Sequence, residues 1–276
     1  RRVPTPSNES SEEQGEFKFF GKENQRFFNQ NLILRVDVFH GSAAFKPFDW
    51  RIRLTPVVNW NHLDVVERGT VNVDVRDGTW RSRRDFALQE AFVEVKLADL
   101  SPHYDFVSLR AGRQVFVSDF RGFVFNDVSQ GARIFGNSDA NRNQYNLVYF
   151  YQAEKETNSE LLMWDARHQH VVVANLYRQD SLDFDFLPTN WRKGYTSQWS
   201  VHYSDDQQES EIPHFDKNGF LIRPEAVGSF IPHDVNAAYL GWTGDGHIDR
   251  MNLTHAFYCA LGRDDFNNIA GRRVTI

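Results

Sequence analysis

Apolar side chains recur at every second position through most of this chain, and that regularity restricts the fold more than any other feature. Leu32, Leu34, Val36 and Val38 share one face, while Ile33, Arg35, Asp37 and Phe39 share the other. Trp50, Ile52, Leu54, Val58 and Trp60 alternate with Asp49, Arg51, Arg53 and Thr55. Ala91, Val93, Val95 and Leu97 oppose Glu90, Phe92, Glu94 and Lys96. The same pattern sets Tyr145, Leu147, Tyr149 and Tyr151 against Gln144, Asn146 and Gln152, and Tyr195, Trp199, Val201 and Tyr203 against Thr196, Gln198, Ser200 and His202. Successive side chains of a strand point to opposite faces, so each segment is a strand with one apolar and one wet face.

The alternation predicts about ten strands, at 27–39, 48–60, 86–97, 105–117, 129–136, 144–153, 169–178, 195–204, 235–243 and 248–262. Only 154–168 has spacing that a helix could use. Pro56 interrupts the second strand and predicts a bulge there, because proline cannot donate to a ladder. Connections 40–47, 98–104, 137–143 and 244–247 are short, whereas 61–85, 118–128, 154–168 and 205–234 are long, with 179–194 breaking the parity. A membrane meander has tight turns on one side and long loops on the other. Trp60, Tyr145, Tyr151, Trp199, Tyr203 and Trp242 near strand ends suit the headgroup level of such a barrel; aromatic residues are also simply favoured in strands.

Composition narrows the classes. No apolar run approaches eighteen residues, which excludes a transmembrane helix but not a barrel whose strands are apolar on one face only. A single cysteine, Cys259, excludes a disulfide framework. A net charge of −6 disfavours nucleic acid as a partner. Residues 1–16, rich in Ser, Glu and Pro, read as a disordered polar arm. Residues 17–276 read as one all-β domain, an antiparallel up-and-down transmembrane β-barrel or a large part of one. Its C-terminal end is expected to be incomplete, because 272–276 reads as the opening of a further strand.

The segments Leu109-Arg110-Ala111-Gly112-Arg113-Gln114, Ser118-Asp119-Phe120-Arg121-Gly122-Phe123 and Gly131-Ala132-Arg133-Ile134-Phe135-Gly136 resemble outer-membrane porins related to alginate-export proteins. So do Asn175-Leu176-Tyr177-Arg178-Gln179-Asp180, Gly194-Tyr195-Thr196-Ser197-Gln198 and Gly244-Asp245-Gly246-His247-Ile248. The resemblance covers roughly 86–276. It implies a bacterial outer-membrane barrel in contact with lipid, with an Arg-lined pore passing anionic or saccharide solutes. Two departures stand out: no terminal aromatic strand follows Ile276, and 181–193 reads as an insertion.

If the apolar faces meet lipid, the other faces line a lumen. Arg35, Arg51, Arg53, Glu94 and Arg110 then point inward, as do Asp37, Glu90 and Lys96, and rings of Arg favour anions. The alternative is that these groups neutralise one another across strands. Arg113 is also read as pore-lining; strict alternation would turn it outward, so this reading requires a bulge at Gly112. The segment 118–128, with Arg121, either folds into the mouth and narrows it or packs on its own Phe residues at the surface. His168 and His170 offer only half a metal site. No catalytic signature, metal site or cofactor site is expected. Rival readings are a soluble β-sandwich that binds carbohydrate and a polysaccharide-acting enzyme using Glu90 and Glu94. Oligomeric state and solute identity stay open.

Overall fold

The computed structural model describes residues 26–41, 49–64, 78–155, 159–207, 233–266 and 273–275. The strands are β1 (Arg26–Ile33), β2 (Val36–His40), β3 (Trp50–Asp64), β4 (Trp80–Asp99), β5 (Phe106–Val117), β6 (Asn126–Ser138), β7 (Asn143–Lys155), β8 (Leu162–Arg178), β9 (Tyr195–Gln207), β10 (His233–Ile248), β11 (Met251–Phe266) and β12 (Arg273–Thr275). All belong to one antiparallel sheet in which β3 to β12 follow chain order. β1 and β2 both lie along the same edge of β3. Among the described residues β12 is not paired with β1, so the sheet is open.

β1 and β2 keep one continuous register on β3, from Arg26↔Asp64 to His40↔Trp50. The ladder is interrupted opposite Pro56, where Leu34 N–H donates to the Pro56 carbonyl at 3.1 Å. On the other side of β3 the register with β4 slips between Thr55 and Pro56, leaving Gln89 as the extra residue. The bulge expected at Pro56 is therefore present, for the reason that Pro has no N–H to offer.

Three expectations are corrected. No described part of 154–168 is helical: β7 runs to Lys155 and β8 begins at Leu162. The turn expected at 244–247 is strand, and β10 joins β11 through Asp249 and Arg250 alone. Glycines there serve close approach rather than turning: a Cβ on Gly244 would lie 2.1 Å from the Tyr195 hydroxyl. Gly112 marks no bulge, since Phe92↔Gly112 and Gly112↔Gly131 are in unbroken register. It has φ +126°, and a Cβ would meet the Ala91 carbonyl oxygen at 2.1 Å. Strands are longer than the alternation suggested, so the contrast between long and short connections is weaker: 118–125 and 156–161 are modest. The arm 1–16 and the segment 208–232 lie outside the described residues.

Burial divides the sheet by face. Leu34, Val36, Leu54, Val58, Val93, Leu147, Trp199 and Val201 are exposed, Leu34 at 60% and Val93 at 47%. Ile52 and Val95, on the same face, are half-buried. The opposite face encloses Thr55, Asn59, Glu90, Glu94, Lys96, Asn175 and His202. This inverts the usual arrangement of a soluble sheet, where the apolar face is covered. The sheet curls about its polar face, because Leu161, just before β8, packs with Val57 of β3 and Ala87 of β4. In a flat sheet those strands would stand several spacings of roughly 4.8 Å apart.

The polar face is not uniformly polar. Phe116, Val148, Phe150, Val171 and Val173 form a buried cluster on β5, β7 and β8. β7 and β8 are thus apolar on both faces here, which requires that something cover the inner one. The connection 118–125 does so: Phe125 stacks on Phe150 with centroids 5.6 Å apart.

Candidate functional site

The strand register assembles a charged row that crosses four strands. Arg51 of β3 is level with Glu94 of β4, Glu94 with Arg110 of β5, and Arg110 with Arg133 of β6. One interval away, Asp37 is level with Arg53, and Arg53 with Phe92. Since alternation places each of these residues on the inner face, pairing the strands in this order brings their side chains together.

The Asp37 carboxylate accepts from Arg51 Nε at 2.9 Å and Arg53 Nε at 2.8 Å. Glu90 takes Arg53 Nη1 at 3.2 Å, Arg35 Nη2 at 3.1 Å and the Thr55 hydroxyl at 3.1 Å. Glu94 accepts from Arg110 Nη2 at 2.6 Å and Nε at 3.0 Å. Aromatic rings separate the cations: Arg110 lies 4.4 Å from the Phe92 centroid and 5.2 Å from that of Phe135. Arg133 lies 4.4 Å from Phe135 and 5.2 Å from Phe116. Such contacts hold a guanidinium in place without neutralising it.

The row therefore carries more cations than anions. Arg35, Arg51, Arg53, Arg110 and Arg133 face Asp37, Glu90 and Glu94. Arg133 bonds an amide, Asn146 Oδ1, at 2.7 Å instead of a carboxylate. It was not singled out from the sequence, although Ala132 and Ile134 flank it with the right alternation; its membership depends on the β5–β6 register.

Arg35, Arg51, Arg53, Glu94 and Arg110 thus gather in one cluster. Arg113 does not join it: it is buried, donates to the carbonyls of Leu88, Leu162 and Met163, and lies 4.3 Å from the Trp164 ring centroid. Its guanidinium ties β4 to the start of β8 and is not presented to the open face. Arg121 also stands apart, exposed at the tip of the 118–125 connection. His168 and His170 bond the hydroxyls of Tyr151 and Tyr149, and no group of three metal-ligating side chains occurs among the described residues.

The 118–125 connection crosses the inner face to strands far along the sheet. The Ser118 carbonyl accepts from Asn175 Nδ2 at 2.8 Å and from Gln198 Nε2. Phe120 N–H donates to Gln198 Oε1 at 3.2 Å, and Thr243 Oγ1 donates to the same oxygen at 3.0 Å. Phe120 packs edge-on against Tyr177, and Phe123 stacks on Tyr258 at 5.0 Å. The connection therefore packs across the polar face of the sheet. Burial opposes ionisation of Asp119, but the Arg121 N–H and the Ser118 hydroxyl outweigh it, and its carboxyl is held below the usual range.

Comparison with known proteins finds no family model, no curated protein and no solved structure that matches this chain. No helix among the described residues is long and apolar enough to cross a membrane, which does not bear on crossing by strands.

Proposed function

We propose that the chain forms the wall of an outer-membrane porin-like channel, through which anionic or sugar-like solutes pass along the Arg face. The observation that carries this reading is the inversion of the sheet. Many of its large aliphatic and aromatic side chains stand exposed on one face, while Glu90, Glu94 and Lys96 are buried on the other and Arg51, Arg53, Arg110 and Arg133 are half-buried beside them. Soluble proteins rarely leave apolar patches larger than a few hundred Å² uncovered, and lipid is the solvent that such a face suits. The rival sandwich needs a second sheet over the apolar face, whereas every described strand belongs to one sheet. The rival enzyme needs a free acid, whereas Glu90 and Glu94 are both held by Arg. The sequence resemblance to alginate-export-related porins points the same way.

The surplus of guanidinium groups favours anions. Fixed charge acts over roughly a Debye length, about 8 Å at physiological salt, so the row dominates a narrow path even though the whole chain carries −6. The test is reversal potential in a planar bilayer under a salt gradient, with and without Arg51→Ala and Arg53→Ala together. Anion preference that shifts toward cations in the double variant supports the reading. Absence of conductance, or an unchanged potential, overturns it and leaves the arginines as partners of Asp37 and Glu90.

A further inference from the structure

Arg35, Arg51, Arg53 and Arg110 each meet a carboxylate, whereas Arg133 meets none among the described residues. Its Nε donates to Asn146 Oδ1 at 2.7 Å. Its Nη1 and Nη2 make no hydrogen bond among the described residues, and neither is sealed from solvent.

Two amides fix this arrangement. The Ser118 carbonyl can only accept, so Asn175 turns its Nδ2 toward it, 2.8 Å away. Asn175 Oδ1 then faces Asn146 and accepts from its Nδ2 at 2.7 Å. Asn146 is left with its oxygen toward Arg133. A guanidinium only donates and a carbonyl only accepts, so the amides between them run in one direction. They occupy Nε with a neutral acceptor and leave the Nη1–Nη2 edge clear.

The surroundings of that edge select a guest. Phe135 and Phe116 lie against the guanidinium, with centroids 4.4 and 5.2 Å away, and they compete for neither Nη group. Arg110, level with Arg133 on β5, is matched by Glu94. Arg133 therefore supplies a single unmatched positive charge. A singly charged guest balances it, whereas a dianion leaves a surplus charge in a half-buried place, which is costly. Two parallel N–H donors match the two oxygens of a carboxylate, a geometry that a halide lacks.

We propose that the Nη edge of Arg133 is a binding site for a singly charged carboxylate, kept open by Asn146 and Asn175. The proposal deepens the channel reading and rests on it for the route by which solute arrives; the site itself requires only the strand register.

The experiment is a magnetic-resonance titration of the detergent-solubilised chain, carrying isotopically labelled arginine, with sodium acetate, and with sodium chloride and sodium sulfate at matched ionic strength. The Arg133 Nε resonance is the one missing from Arg133→Lys. Acetate should shift it to saturation, and chloride and sulfate should not. Asn146→Asp sets a carboxylate against Nε and should weaken acetate about tenfold, the effect of one lost charge-assisted hydrogen bond. Asn146→Ser gives up the bond to Asn175 without adding charge, and should weaken acetate by about threefold at most. The titration of the unaltered chain decides the site even where a variant fails to fold. No saturable shift with acetate, tighter binding of chloride or sulfate, or equal losses in the two Asn146 variants overturns the site. Saturation by acetate in a chain that conducts nothing in a bilayer sustains the site and overturns the channel reading instead. Anion-selective conductance with an Arg133 resonance that acetate leaves unmoved does the reverse.

Discussion

Arg110 and Glu94 occupy opposed positions on β5 and β4, with Arg110 Nη2 2.6 Å from the Glu94 carboxylate and the guanidinium 4.4 Å from the Phe92 ring centroid. The carboxylate is thereby used up and the cation is held between rings. Both side chains are less than one-fifth exposed. Glu94→Gln should therefore destabilise the folded protein by about 2 kcal/mol, between the ~1 of exposed pairs and the roughly 3–5 of buried ones. Urea unfolding of the detergent-solubilised chain measures this, and a double-mutant cycle with Arg110→Gln should show that the two changes do not add. Additive losses would mean that the pair is not coupled.

Val93 tests the exposed face. It lies on β4 between Phe92 and Glu94 but points the other way, and it is 47% exposed. Val93→Arg should cost roughly 2–4 kcal/mol when the chain folds into lipid vesicles, as expected for Arg near the bilayer midplane. A change below about 0.5 kcal/mol, the usual size for an ordinary surface substitution, would remove lipid as the partner of this face.

Gly112 is required by the close approach of β5 to β4. Gly112→Ala places a methyl against the Ala91 carbonyl at a φ of +126°, which L side chains rarely adopt. A loss of about 1–3 kcal/mol is expected from the backbone strain. Amide exchange should report it at Ala91–Phe92 and at the Arg113 contacts with Leu88 and Leu162.

Gln198 pins the 118–125 connection through Ser118 and Phe120. Gln198→Ala should release part of that anchor while Asn175 keeps the rest. If the connection narrows the path, single-channel conductance should rise, and further in the double variant with Asn175→Ala. Unchanged conductance would place the connection outside the route.

Asp105 gives a pH signature. The Ser101 hydroxyl, then the N–H groups of Asn141 and Ala140, hold its carboxyl below the usual range. A lowered carboxylate pKa supplies stability above the ordinary value of the unfolded chain, and this is lost as pH falls through the lowered one. Amide exchange at 139–142, where Asp139, Ala140 and Asn141 all have positive φ, should thus stay slow from neutral pH downward and accelerate only in acid. Asp105→Asn should exchange fast at neutral pH and show no acid step.

Much of this architecture was legible in the residues. Alternation assigns Leu54, Val93 and Leu147 to one face and Arg53, Glu94 and Arg110 to the other, because a strand's two-residue period leaves no third option. Pro56 announced an interrupted ladder for an equally local reason. The connection expected at 244–247 is strand, since a glycine needed for close approach, as Gly244 is, is indistinguishable in sequence from one needed for a turn. Val148, Phe150, Val171 and Val173 make the inner face of β7 and β8 apolar, and nothing local says what covers it.

What the sequence determined by itself was the set of strands and the two faces of each, since both follow from period two within single segments. Which residues meet was decided by the tertiary structure. Register set Arg51, Glu94, Arg110 and Arg133 in one row, although they are scattered over about eighty positions of the chain. Curling of the sheet brought the 118–125 connection to Gln198 and Tyr258 and enclosed His202 beside it. Pairing order and curvature depend on contacts far apart in the chain, and no local pattern specifies them.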